Sequence, residues 1–315
     1  MPTPCPVNAD FFPNDKKHYK VLGLFLLFYL VWVYFLVGWR SDHIYFMAFI
    51  TIMMTAHRWT RTFTYLFVFF IIFWIIYDGM RVFPNYMVSD INITQPYDIE
   101  KQMFGIDSSG TILTPNEYMQ SNSHQVLDFL SGIFYLSWMP VPLGLGVYLF
   151  FNNKKMLLRF SAAFLFTNLI GFVIYYSYPA APPWYYDQYG DHELFNVVGD
   201  PAQLKRFDVL IGYPLFSNIY TKNSNVFAAI PSLHAAYPVV AWFYAFKSKL
   251  KIAHWVILID IAGIWFAAVY SFHHYFIDVL LGFLCAVIAI LIFEKWLIKT
   301  KLSIFFDQYL KFVQS

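Results

Sequence analysis

Eight apolar runs, each closed by charges or turn residues, dominate the chain: 21–38, 43–57, 62–79, 125–151, 157–177, 231–247, 252–271 and 275–293. Several approach the roughly 20 residues that a helix needs to cross the hydrocarbon core of a bilayer. No water reaches backbone N–H and C=O groups at that depth, so such runs must satisfy them internally as helices. The pattern predicts an all-α fold, a polytopic transmembrane helical bundle of about eight spans. It forms a single transmembrane domain over 1–315. Residues 1–124 hold three spans and a polar loop, 125–293 hold the rest of the bundle, and 294–315 make a basic tail.

The gaps between runs fix an orientation. Fifteen of the 21 Lys and Arg residues fall on alternating gaps: Lys16, Lys17 and Lys20; Arg58 and Arg61; Lys154, Lys155 and Arg159; Lys247, Lys249 and Lys251; and Lys295, Lys299, Lys301 and Lys311. Basic residues concentrate in short cytoplasmic loops, so both termini are expected on the cytoplasmic side. The six others (Arg40, Arg81, Lys101, Lys205, Arg206 and Lys222) fall on the opposite face with two long connections, 80–124 and 178–230. Those connections are rich in Tyr, Trp and Phe, which argues against disorder. Thr114-Pro115-Asn116-Glu117 has the form of a capping box with Pro at the first helical position, and Asp200-Pro201 also marks a helix start.

Composition agrees with this reading and narrows it. Hydrophobic residues make up 59% of the chain and charged residues 13%, against roughly a quarter charged in soluble domains. A net charge of +2 gives no reason to expect nucleic acid. The two cysteines, Cys5 and Cys285, have the spacing of neither a metal site nor a disulfide framework. No cleavage site follows the first run, which is expected to stay as an anchor. Asn92-Ile93-Thr94 is a glycosylation sequon, relevant in a eukaryote.

The unusual polar residues gather at the extracytoplasmic ends of spans. Pro231-Ser232-Leu233-His234 opens the sixth run. With Pro in a first turn, free N–H groups and the positive end of the helix dipole suit a phosphate, and Ser232 adds a hydroxyl. Taken alone, the tetrapeptide reads first as an interfacial cap with a snorkelling histidine. His274 and Asp278 open the last run four residues apart, a spacing that shares one helix face. A carboxylate there holds one imidazole nitrogen as N–H and leaves the other as a nucleophile; the structural alternative is an ion pair closing two helices. His273 is expected beside the site, as a substrate-side or interface residue. Two imidazoles and an aspartate on one membrane face suit a double-displacement phosphotransfer. No zinc spacing or carboxylate cluster is evident, so no metal and no cofactor are expected. Asp260 at mid-span is expected to bond across helices to Asn168.

These motifs carry a resemblance. Pro231-Ser232-Leu233-His234 followed by His274-x-x-x-Asp278 looks like the second and third signatures of the type 2 phosphatidic acid phosphatase superfamily. With Tyr178-Pro179-Ala180-Ala181-Pro182-Pro183-Trp184-Tyr185 and Tyr270-x-x-His273-His274-Tyr275-Phe276-Ile277-Asp278, the chain resembles its inositol phosphorylceramide synthase branch over about 125–293, with a fainter echo at Thr114–Glu117. The resemblance implies a six-helix core, His274 as the nucleophile forming a phosphohistidine, Asp278 as its orienting carboxylate and His234 as general acid and base. The superfamily's first signature, a Lys and an Arg before Pro, is absent, and Ala267 and Ala268 stand where a Ser-Arg pair usually precedes the last histidine. The phosphate must therefore find cations elsewhere: Arg81 first, then Lys205, Arg206 and Lys222, although Arg81 has Asp78 as a possible partner. Trp184 and Tyr185 are expected either in an interfacial aromatic belt or as a wall for a polyol.

The function so implied is transfer of a phospho-headgroup, phosphoinositol first, from a phosphatidylinositol-like phospholipid donor to a ceramide-like acceptor within the bilayer. A lipid phosphate phosphatase is the alternative, and a transporter or scaffold with structural histidines is a third. The site is expected to face the periplasm from a bacterial inner membrane, or the Golgi lumen in a eukaryote.

Overall fold

The computed structural model describes residues 16–221 and 225–314; Cys5 and Lys222 lie outside them. Apart from a small hairpin, β1 (Ile106–Ser108) with β2 (Thr111–Leu113), the described elements are helical. In chain order the α-helices are α1 (Lys16–Trp32), α2 (Ser41–Thr55), α3 (Arg58–Leu66), α4 (Val68–Gly79), α5 (Thr94–Phe104), α6 (Pro115–Ser121), α7 (Gln125–Leu136) and α8 (Pro140–Asn152). They continue as α9 (Lys154–Ser177), α10 (Pro183–Tyr189), α11 (Lys205–Ile211), α12 (Leu215–Tyr220), α13 (Leu233–Lys247), α14 (Lys251–Tyr270), α15 (Phe276–Lys295) and α16 (Lys301–Gln314).

All eight expected runs are helical, with edges shifted by a few residues, and the chain is a multi-pass membrane protein. The runs differ in how they reach across. Four helices are long and apolar enough to cross singly: Lys16–Val37, Lys154–Ser177, Lys251–Tyr270 and Phe276–Lys299. Two more do so only as bent pairs, α3 with α4 at 58° and α7 with α8 at 44°. The second bend falls where Pro140 opens α8, since proline has no N–H to continue the ladder. α2 and α13 have 15 residues each, or about 22 Å at ~1.5 Å per residue, short of the ~30 Å hydrocarbon core. Length therefore supports six of the eight expected spans, with α2 and α13 too short to cross alone.

α13 is the central post. It packs on α14, α15, α9 and α8, while α7 lies on α14 and α4 on α9. Small residues permit this crowding: Ala235, Ala236, Ala241 and Ala245 are buried on α13, and a Cβ at Gly282 would meet the Ser232 carbonyl oxygen at 2.1 Å. Polar groups bind the post to its neighbours. Glu294 on α15 accepts from Arg159, Lys247 and the Tyr244 hydroxyl. Asp260 accepts from Ser137 Oγ at 2.6 Å rather than from Asn168, whose side-chain oxygen is taken by Tyr237. The tail folds back as α16 against α9 and α3, tied by Lys155 to Asp307 at 2.6 Å and Tyr309 to the Tyr65 carbonyl. Outer faces stay apolar: Leu27, Phe28 and Phe35 on the first span are exposed, as suits a lipid-facing helix.

The two long connections are woven into one cap. Asn92 N donates to Pro179 O, Ala180 N to Phe227 O and Ala229 N to Ala180 O. The buried Asn85 side chain donates to the carbonyls of Tyr175 and Phe227. The capping box at Thr114 forms as expected and starts α6. Asp200 caps a 3₁₀ turn, Ala202–Leu204, that leads into α11. The sequon asparagine is tied down, its amide donating to Pro179 O at 3.1 Å.

Candidate active site

The site is built from two helix starts held together by backbone. Ser232 is the N-cap of α13, its Oγ accepting from Ala235 N, and its own N–H donates to the Asp278 carbonyl at 3.0 Å. Pro231 therefore precedes the cap instead of occupying the first helical position. Ser232 is fully buried and its hydroxyl oxygen is occupied as a cap. His234, one turn position later, has Nδ1 3.3 Å from the Tyr135 hydroxyl and its ring edge-on to Trp138.

His274 belongs to the turn between α14 and α15. The N–H groups of His273 and His274 both donate to Ala268 O, at 3.2 and 3.0 Å, and Phe272 takes the left-handed conformation that turns the chain. Asn116, fully buried on α6, donates to the carbonyls of Val269 and His274 at 2.8 and 2.9 Å. His274 Nδ1 lies 3.4 Å from Asp278 Oδ2. The two residues do not share a helix face, because α15 begins only at Phe276; the pair closes across the helix start. Asp278 Oδ2 accepts from Tyr275 N, and the buried Glu100 accepts from Phe276 N and Ile277 N. Two carboxylates thus satisfy the free N–H groups at the positive end of α15.

Burial sets the protonation of this turn, which lies outside the spans. Burial pushes the His274 imidazole down to about 4, opposed in part by the Ala229 carbonyl. Burial and the neighbouring His274 push His273 down to about 3. Both are neutral near pH 7. Glu100 is pushed up to about 7 by burial, against its two backbone hydrogen bonds.

A cavity of about 60 Å³ collects His234, His273, His274, Trp184, Tyr135 and Asn225. The rings of His234 and His274 lie 5.8 Å apart, centre to centre. His273 is turned to the cap: Nε2 donates to Pro201 O at 2.9 Å, and its ring stacks on Tyr220. A second cavity, about 90 Å³, shares His234 and holds Arg81, Tyr77, Met80 and Phe172. Arg81 stands 3.7 Å from Asp78, beyond hydrogen-bonding distance, since Asp78 is held by Arg40 at 2.6 Å and His43 at 3.0 Å. Lys205 and Arg206 are engaged elsewhere, with Asp200 at 2.8 Å and Asp128 at 3.5 Å. Trp184 and Tyr185 are buried and form no exposed belt: Trp184 lines the histidine cavity, while the Tyr185 hydroxyl bonds the backbone of His192 and Leu194.

Asp42, His43 and Asp78 place ligand-type atoms within 4.8 Å of one another. The Arg40 guanidinium bonds both carboxylates, so the positive charge this cluster needs is already present. Glu100 and Asn116 are positioning residues that the sequence did not disclose; the capping box at Thr114 pointed to α6 but not to the role of its asparagine.

A lipid-facing helical bundle with paired histidines at the joined ends of two helices defines a class, the multi-pass membrane proteins with a histidine site beneath an aromatic cap. A sequence model of the PAP2 superfamily matches residues 111–292. The chain belongs to that superfamily, and to its inositol phosphorylceramide synthase branch. It is 43% identical over 308 residues to a phosphoinositol dihydroceramide synthase of Bacteroides thetaiotaomicron, covering 96% of this chain and all of that one. An inositol phosphorylceramide synthase of Candida albicans is 31% identical over 57% of this chain and 39% of its own length. The inositol phosphorylceramide synthase catalytic subunit of Saccharomyces cerevisiae is 32% identical over 41% of this chain and 31% of its own. No solved structure matches the chain.

Proposed function

We propose that the protein moves phosphoinositol from a phosphatidylinositol-like donor to the hydroxyl of a ceramide-like acceptor, by way of a phosphohistidine. The observation that carries the chemistry is the meeting of His234 and His274 at one cavity with Asp278 behind His274. The choice of substrates rests on the full-length relative, a phosphoinositol dihydroceramide synthase.

In the first half-reaction His274, neutral and with Nδ1 turned to Asp278, attacks phosphorus through Nε2. The bond from phosphorus to the diacylglycerol oxygen breaks, and His234 gives that oxygen a proton. In the second half His234 takes the proton of the acceptor hydroxyl, the acceptor oxygen attacks phosphorus, and the bond to His274 breaks. Each half returns what the other spent, so the enzyme ends unchanged. Arg81, on the cavity beyond His234, is the cation placed to hold the phosphate. Lys205 and Arg206 rank behind it because each already faces a carboxylate. Trp184, with Tyr185 packed edge-on against it, offers a wall to the inositol ring, and His273 lines the same cavity. The basic-loop pattern supports a site on the non-cytoplasmic face, periplasmic in a bacterial inner membrane or lumenal in a Golgi membrane.

The test is a rapid quench of purified protein with phosphorus-labelled phosphatidylinositol and no acceptor. Label held on the protein by an acid-labile bond, absent in His274→Ala, is expected. Protein that never acquires label would count against the covalent route.

A further inference from the structure

The Arg81 cavity adjoins a third, much larger one. A groove of about 670 Å³ runs between α1, α4 and α9, walled by Trp32, Ile76, Gly79, Leu169 and Val173. Met80 and Phe172 line both this groove and the Arg81 cavity, and His234 lines both the Arg81 cavity and the histidine cavity. The three cavities therefore lie in series, with His234 between the first two and Met80 and Phe172 between the Arg81 cavity and the apolar groove. Its outer lip carries Phe83, Val88 and Val173, which are 53%, 64% and 68% exposed, so the groove opens sideways toward lipid.

In-line displacement puts the lipid oxygen on the side of phosphorus opposite His274, where His234 must reach it. His234 lines the cavity of His274 and also the Arg81 cavity that adjoins the groove. His234, His274 and Asp278 lie within the superfamily match at 111–292, whereas Arg81 and the α1 and α4 wall lie before it. What a transferase needs beyond the shared displacement is a seat for the alcohol that takes the place of water. Resting on the function proposed above, we infer that this groove holds an alkyl chain of the ceramide-like acceptor, with the acceptor hydroxyl delivered to His234. The first spans then form part of the substrate site and not merely a packing partner for it.

The experiment fills the groove from its lip with Val173→Trp and, independently, Val88→Trp, in purified full-length protein with mixed micelles. Acceptors of long and short chain are compared, and labelling of the protein by donor alone is measured in parallel. Losing contact with about two methylenes, the acceptor KM for the long chain should rise about tenfold. The short-chain KM and the donor-only labelling should hold, the latter also certifying the fold. An unchanged long-chain KM in variants that still transfer overturns the groove assignment alone, as does a defect confined to donor labelling. Unmodified protein that yields no phosphoinositol lipid overturns both this assignment and the function beneath it.

Discussion

Asn116 on α6 donates both hydrogens of its amide to the carbonyls of Val269 and His274, residues 153 and 158 positions away. It ties the last turn of α14 to the turn that carries the histidines, so a loop helix sets where the His274 ring emerges. Asn116→Ala would leave the His274 carbonyl without a donor, at about 1–3 kcal/mol, while the Val269 carbonyl keeps the N–H of Phe272. The expected outcome is a lower unfolding temperature together with a kcat that falls much more than KM changes. Thermal unfolding of the detergent-solubilised protein and steady-state kinetics check it; an equal loss in kcat and KM would speak for a purely structural role.

Arg81 is expected to hold the donor phosphate. A charge-assisted hydrogen bond is worth about 1.5–3 kcal/mol, so Arg81→Ala should raise the donor KM by about tenfold or more. Arg81→Lys should recover part of the loss, since it keeps the charge without the planar fork. Arg40→Ala, which frees Asp78 to draw Arg81 away from the cavity, should move the same parameter in the same direction.

The acid side of the pH profile follows from burial. With His274 at about 4, its nucleophilic form persists well below the ordinary imidazole value of about 6.5. Labelling of the protein by donor should stay level from neutrality down toward pH 5 and fall by half only near 4. Stability moves earlier. His273 and His274 stay neutral in the fold while an unfolded chain protonates them below about 6.5, so the unfolded state binds more protons in that window and stability falls as pH drops. Glu100 contributes with the opposite sign: folded, it keeps its proton up to about 7, so its share is lost as pH rises through that value. Chemical denaturation at stepped pH, with and without Glu100→Gln, separates the two.

Much of this site could be read from the sequence, for a physical reason. His234, His274 and Asp278 stand in short segments at helix starts, where local spacing alone implies proximity, and the basic loops bring the segments to one face. The capping box at Thr114 is likewise a local signal and forms as written. Glu100, Asn116 and Asn85 are different. Their partners lie 90 to 177 residues away, and a lone Glu or Asn in a polar loop has no pattern that names a distant backbone. The shared face expected for His274 and Asp278 fails because the spacing says nothing of where the helix begins; α15 starts between them. The bends at Phe67 and before Pro140 sit inside unbroken apolar runs, so hydropathy passes over them. Asp260 found Ser137 instead of Asn168 because both are single polar residues in apolar helices, and only packing chooses between them.

Sidedness is open to labelling. In a Cys5→Ser background, Asp191→Cys in the aromatic cap should react with an impermeant thiol reagent on intact cells. Lys301→Cys at the start of α16 should react only after permeabilisation. Both positions are exposed, and the native Cys285 is buried. Reaction of Lys301→Cys alone in intact cells would invert the proposed orientation.

The most direct test of the account is the fate of the headgroup. Purified protein is given phosphatidylinositol labelled in the inositol ring, with a ceramide as acceptor, and the products are separated into lipid and water-soluble fractions. The account predicts labelled phosphoinositol on the ceramide with the unmodified protein. It predicts at least a ~100-fold loss in His234→Ala, as for a general acid–base residue, and none of the product in His274→Ala. Label released as water-soluble inositol phosphate with no ceramide product, or undiminished product from His274→Ala, would contradict it.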